Sequence, residues 1–152
     1  MTSITYSVHA DEIPEPEIQA VESLLAVCFD PEPGLDFGAL VGTKHRPGLV
    51  LARADALPVG FKIGYESGGD AFYSWLGGVH PEFRRRGIAR TLLERQHAWC
   101  RSRGYAAVTT EAVNHNRAML LLNLSRGFVI KGTRADRRGL KILLERDLDD
   151  ET

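Results

Sequence analysis

Residues 79–89 read Val-His-Pro-Glu-Phe-Arg-Arg-Arg-Gly-Ile-Ala. The aromatic and apolar run Phe72-Tyr73-Ser74-Trp75-Leu76-Gly77-Gly78-Val79 leads into them, and an amphipathic helical pattern follows. The stretch reads as the end of a strand, a basic turn and the start of a helix. Backbone N–H groups in the first turn of a helix lack intrahelical partners and lie at the positive end of its dipole, so this turn favours an anion. Gly87 and Ala89 leave room for a phosphate to reach the backbone, and Arg84, Arg85 and Arg86 add charge. The local chemistry is that of a phosphate site.

The rest of the composition narrows the setting. A chain of 152 residues suits one domain, 1–152, with its own core. Its hydrophobic fraction of 43%, charged fraction of 26% and net charge of −1 are ordinary for a globular protein. No global field recruits nucleic acid or an anionic membrane, and basic-aromatic interleaving is absent. No apolar run approaches the ~20 residues of a membrane span, and no signal peptide opens the chain, so the expected location is the cytoplasm. Cys28 and Cys100 each fall in an apolar helical pattern, which reads as buried thiols rather than a disulfide or a nucleophile. His9, His45, His80, His97 and His115 are scattered without ligand spacing, so no metal is expected. Glycine-rich nucleotide motifs are missing, and Ser74 lacks a nucleophile elbow.

Working outward, Ile4–Val8 alternates as a first strand, and Pro14 and Pro16 open a helix with apolar positions Ile18, Val21, Leu25 and Cys28. A loop or short second helix runs to about Gly42. Leu49–Arg53 and Val59–Tyr65 read as a hairpin, joined through Ser67–Asp70 to a third strand over 71–79. The helix after the basic turn spans Gly87 to Arg103. Ala106–Thr110 is the next strand, Asn116 caps a helix whose interior Met119–Leu122 should be covered on several sides, and Phe128–Gly132 with Leu140–Arg146 forms a last hairpin around a polar turn, 134–139. The order β-α-α-β-β-β-α-β-α-β-β, about seven strands, predicts an α/β domain with one mixed central sheet and helices on both faces.

Two blocks carry a resemblance. Arg84-x-x-Gly87-x-Ala89, with Val79-x-Pro81 before it, resembles the acyl-coenzyme A signature of the GNAT N-acetyltransferase superfamily. Asn116-x-x-Met119-x-x-x-Asn123-x-x-x-Gly127-Phe128 is similar to that superfamily's second block. The resemblance spans roughly Leu49 to Leu148. It implies a GNAT-like fold and acetyl-coenzyme A as cofactor, held by Val79, Arg84, Arg85, Arg86, Gly87, Ile88, Ala89, Asn116 and Asn123, with the pyrophosphate on backbone N–H groups from about Arg85 to Ala89. Asn123 stands where many members carry tyrosine, and an amide cannot give up a proton near neutral pH. Ribosomal-protein N-terminal acetyltransferases, which this region also resembles, place a general base at the offset of Glu111. Tyr73, Glu66 and a water chain compete for that role.

In the superfamily the strand holding Leu76 and Gly77 bulges and splays from its neighbour. The Gly77–Gly78 pair fits such a bulge, and a backbone N–H at Leu76 or Gly77 would face the thioester oxygen, a donor worth ~3–4 kcal/mol in a transition state. The implied activity is transfer of acetyl from acetyl-coenzyme A to a primary amine, small molecule or peptide N-terminus, by direct attack in a ternary complex. Asp30, Glu32 and Asp36 would suit a cationic acceptor, and Arg134, Arg137 and Arg138 an anionic group. A catalytically silent acyl-coenzyme A-binding module is the rival, transfer of a longer acyl group a third reading. The last hairpin could pair across a homodimer or simply close the sheet.

Overall fold

The structure, a computed structural model, describes residues 3–31, 33–114 and 116–149. Glu32 and His115 lie outside the described residues. Seven strands form one sheet in the order β1-β2-β3-β4-β5-β7-β6. The strands are β1 (Ile4–Ala10), β2 (Gly48–Ala54), β3 (Leu57–Gly68), β4 (Ala71–Val79), β5 (Ala107–Val113), β6 (Val129–Asp136) and β7 (Gly139–Asp147). Among the described residues, only β4 and β5 pair in parallel. Between them come α1 (Glu15–Cys28), α2 (Phe37–Gly42), α3 (Ile88–Ser102) and α4 (Arg117–Ser125).

Alternation along β3 decides which helices lie on which face. Phe61 and Ile63 point into a core with Ile18, Val21 and Leu24 of α1 and Phe37 of α2. Gly60, on the alternate register, leaves the opposite face shallow, so α3 packs close. A Cβ on Gly60 would lie 3.0 Å from Ile88 and 3.1 Å from Leu92. Farther along that face, Leu93 and Cys100 of α3 meet Phe72, Val108, Phe128 and Leu144. The expected order and two-faced layering are therefore present. No helix is long and apolar enough to cross a membrane among the described residues.

The differences from the expected elements have local causes. β5 continues to Val113 because β7 pairs with it from Ala107 through Val113, which places Glu111 inside a strand rather than at its end. β6 continues to Asp136 opposite Gly139, so the turn is only Arg137–Arg138 and Arg134 is a strand residue. The bulge falls at Trp75, not at the glycine pair: Ile63 pairs with Leu76 and Gly64 with Ser74, leaving Trp75 without a β3 partner. α4 is not covered on several sides. It flanks the sheet on one side, its buried residue is Asn123, and Leu121 and Leu124 are 61% and 38% exposed.

β4 and β5 pair only from Ala71↔Ala107 to Ser74↔Thr110. A hydrogen bond from Thr110 Oγ1 to the Ser74 carbonyl (2.9 Å) ties the last rung. Beyond it the strands part. Gly64, opposite Ser74, permits the tight backbone at this point: a Cβ there would overlap the Tyr73 carbonyl and lie 2.5 Å from the Phe72 ring. Gly64→Ala should lower unfolding free energy by about 1–3 kcal/mol in urea titrations. Gly42→Ala, at an open helical position, should be neutral or raise it by about 0.5 kcal/mol.

Candidate active site

The basic turn is shaped by its own backbone. A 3₁₀ turn, Pro81–Phe83, follows β4, and His80 Nδ1 accepts the Glu82 N–H (3.1 Å). Arg85 and Gly87 both take left-handed conformations, with φ of 65° and 76°. Glycine reaches that region freely, whereas arginine adopts it at a cost, and such positions concentrate at functional sites. Alternating backbone handedness of this kind turns successive N–H groups toward a common centre.

The start of α3 is unlike those of α2 and α4. Asp36 caps α2 by accepting the Ala39 N–H (3.0 Å), and Asn116 caps α4 by accepting the Met119 N–H (3.3 Å). α3 has glycine at its N-cap, no side-chain cap and no acidic residue in its first turn. Its free N–H groups and dipole are thus left for a ligand anion.

These groups open into a cleft of about 680 Å³. Gly77, Gly78 and Val79 of β4, the turn, the first turn of α3 and the start of α4 wall it, and Cys28 and Phe29 close one end. The Val79 carbonyl accepts from Arg84 Nε (3.1 Å) and from Cys28 Sγ (3.4 Å), fixing where β4 meets the turn. Of the residues expected to act, Gly77, Val79, Arg84, Arg85, Gly87, Ile88, Ala89 and Asn116 line this cleft. Leu76, Arg86, Glu111 and Asn123 do not. Leu76 packs against the α1 core, and Arg86 lies over the Phe83 ring at 4.9 Å. Asn123 is 3% exposed on the inner side of α4.

Glu111 sits elsewhere, yet at a telling position. It is the first β5 residue past the last β4–β5 rung. It pairs with Leu143 of β7, on the register opposite to buried Ile142 and Leu144, so it faces the α1 and α2 side. Arg134 Nη2 donates to Glu111 Oε1 (2.6 Å), and Arg134 also contacts Asp136 (3.2 Å). Tyr73 lies beside them. Burial first, then the Glu111 and Tyr65 charges, pushes its hydroxyl up to about 12, so it stays protonated at neutral pH. Glu66 is engaged by His45 (3.0 Å) and Arg46 (3.3 Å) near the far end of β3. Asp36 is held as a cap, and Arg134 as Glu111's partner.

Sequence reasoning missed Lys62. It pairs with Gly77 across β3 and β4 and lines the cleft, with Nζ 3.5 Å from where a Gly77 Cβ would stand. Burial pulls its ammonium down to about 8. The signal was present in Val59-Gly60-Phe61-Lys62-Ile63-Gly64: a lone lysine between glycines on one face of an apolar strand.

The Acetyltransferase (GNAT) family matches residues 16–128. Comparison with curated protein sequences gives no significant match. Among solved structures, the ribosomal-protein-S18-alanine N-acetyltransferase from Escherichia coli superposes with a TM-score of 0.78 at 19% identity, over 95% of this chain and 94% of that one. A GNAT family acetyltransferase from Elizabethkingia anophelis with acetyl-CoA bound gives 0.75 at 19% identity, over 95% and 97%. The NatC complex bound to Gag peptide and CoA gives 0.76 at 16% identity, over 95% and 98%. With a seven-stranded sheet parted between β4 and β5, an uncapped α3 after a basic turn, and a family match across most of its length, the chain belongs to the GNAT acetyltransferases, and acetyl-CoA is its cosubstrate.

Proposed function

We propose that this protein transfers an acetyl group from acetyl-CoA to a primary amine, a small molecule or a peptide N-terminus, within a ternary complex. The observation that carries the reading is the continuity of the cleft: it runs from uncapped α3 to the unpaired part of β4. The residues fit the cosubstrate. Backbone N–H groups of Arg85–Ala89 would take the diphosphate, and the Asn116 amide NH₂, left free by the capping bond of its oxygen, would take the pantetheine arm. Acetyl-CoA supplies an activated thioester, and this chain supplies position, charge and proton handling.

Each role falls to a placed group. A β4 N–H at Leu76 or Gly77, not used by β5, would hold charge developing on the thioester oxygen. Glu111, at the fork, would take the amine's proton, and Arg134 keeps its carboxylate aimed. Lys62 answers the loss of a tyrosine at position 123: its ammonium lies beside Gly77 and would give a proton to the departing thiolate. Tyr65, Tyr73 and Trp75 form an edge-packed aromatic wall near the fork, with centroids 5.4 and 5.8 Å apart, that would shield the acceptor amine from water. Among acceptors a peptide N-terminus is a reading supported by the names of two neighbours, the S18-alanine enzyme and NatC with its peptide. Cys28 and Cys100 are free thiols, which suits a reducing compartment such as the cytoplasm.

Thiol release from acetyl-CoA over a panel of amines tests the assignment, with peptides among them. Glu111→Gln should lower kcat by about 10²–10⁴-fold with acetyl-CoA affinity unchanged. Binding of acetyl-CoA without turnover on any amine would instead make the chain a silent module. Gly87→Val should weaken acetyl-CoA binding by about tenfold or more, because a β-branched residue resists a left-handed backbone at the cradle.

Lys62→Met gives a pH test. The acid form is the active one, so wild-type kcat should fall as pH rises through about 8, and the variant should lack that limb. The loss at neutral pH should be about tenfold, since a thiol of pKa ~8.5 leaves with modest help. Stability should move the other way. A lysine whose folded pKa is lowered disfavours folding fully below about 8, and the cost is relieved as pH rises from there toward 10.5. Lys62→Met should therefore be more stable than wild type at pH 7, by a margin that narrows above pH 8.

A further inference from the structure

A second cavity, of about 470 Å³, lies between the C-terminal part of α3, the end of α4 and the end of β7. Its wall includes His97, Arg101, Arg126 and Arg146, with Glu94. His97 and Arg146 are 3% and 8% exposed. Among the described residues, His97 Nε2, Arg126 Nε and Arg146 Nε are buried and have no hydrogen-bond partner. Leaving one such group unpaired is unfavourable, and more so when it is charged. Three around one cavity point to an acceptor that the described residues do not provide.

The charges agree. Glu94 is shared between Arg126 (3.2 Å) and Arg90 (3.6 Å). Arg101 and Arg146 have no carboxylate partner among the described residues; they donate to the carbonyls of Leu148 (3.4 Å) and Asp147 (3.0 Å). The charges acting on His97 are those of Arg146, Lys62 and Arg101, all cationic. Burial first and these charges next hold the imidazole down to about 3, so it is neutral and able to donate from one nitrogen. Room for Arg146 is built in at Gly127, where φ is +96° and a Cβ would lie 2.8 Å from the guanidinium carbon.

We propose that this cavity is a binding site for a phosphate monoester dianion. The net cationic excess of the wall matches two negative charges. Its guanidinium groups come from α3, the end of α4 and β7, three separate elements, which suits the tetrahedral oxygens of a phosphate better than one planar carboxylate. The site is separate from the acetyl-CoA cleft. Ile88, Ala89 and Leu92 of α3 line the cleft, whereas Glu94, His97 and Arg101 of the same helix line this cavity.

Calorimetry on the whole chain saturated with coenzyme A tests the site, because the cofactor then occupies the diphosphate cradle. Glycerol 3-phosphate and inorganic phosphate are the probes, with succinate as the dicarboxylate control. The expected result is one site with a Kd below about 1 mM for glycerol 3-phosphate, weakened about tenfold by Arg101→Gln and by Arg126→Gln, with coenzyme A affinity unchanged. The His97 ring nitrogen signals should shift on titration in wild type. Absence of binding at about 10 mM overturns the proposal, as does binding that both variants retain. Succinate binding as tight as glycerol 3-phosphate overturns the ligand class. Phosphate binding that appears only after residues 150–152 are removed overturns it in favour of the chain's own acidic end.

Discussion

The last rung between β4 and β5, Ser74 opposite Thr110, governs this structure. To its near side two parallel strands share backbone hydrogen bonds, and the Thr110 hydroxyl adds one more to the Ser74 carbonyl. To its far side, among the described residues, β4 keeps only β3 as a strand partner and β5 only β7, which pairs with it along its whole length. A buried sheet seldom leaves backbone donors without acceptors, because each unmet group costs free energy. Here the bulge at Trp75 and the glycines at 77 and 78 let β4 bend away without filling the gap with side chains. The gap is therefore a place where an extended ligand can complete what the sheet leaves open. The roles proposed for the β4 N–H groups, Glu111 and Lys62 rest on their positions around it.

The second constraint is the beginning of α3. A side-chain cap there, of the kind Asp36 gives α2, would occupy the N–H groups that an anion needs. Glycine in a left-handed conformation forgoes that stabilisation and exposes the first turn. The cost falls on the apo protein, which makes ligand binding and local order mutually dependent. Arg84 is tied to the Val79 carbonyl, so part of the arginine run shapes the turn as well as charging it.

Much of this was legible in the sequence, for identifiable reasons. Strand alternation and helix stops at Gly104 and Gly127 sufficed for the element order, and Arg84-x-x-Gly87-x-Ala89 marked the turn. What escaped depends on contacts distant along the chain. Glu111 and Arg134 are 23 residues apart and meet only because β6 pairs on the far side of β7. An apolar α4 looks enclosed when read alone, yet periodicity says nothing about whether a neighbour exists on each side. The bulge lay at Trp75 rather than at the glycines because register against β3, not composition, decides where the extra residue falls. Lys62 was readable in principle. Its glycine neighbours hid it, since they look like loose strand positions until α3 is seen packed over them.

A net charge of −1 conceals a strongly sided distribution. The turn and α3, residues 84–103, hold seven arginines against one glutamate. Lys62 of β3 and Arg146 of β7 extend that excess inward from the strands behind α3, where the neutral His97 of α3 meets them. Exposed arginines are cheap in water, but a half-buried ammonium, a neutral histidine among cations and guanidinium nitrogens without acceptors are not. These costs accumulate on one face of one sheet, while the opposite face carries the Glu111–Arg134–Asp136 network and closes its own charges. Positive potential confined between low-dielectric walls is focused rather than screened, so it acts on ligands that enter those cavities and hardly at all at long range. A chain with almost no net charge can in this way be built around polyanionic ligands. The diphosphate of a coenzyme at one end of α3 and a phosphate ester near its other end would relieve the same electrostatic strain.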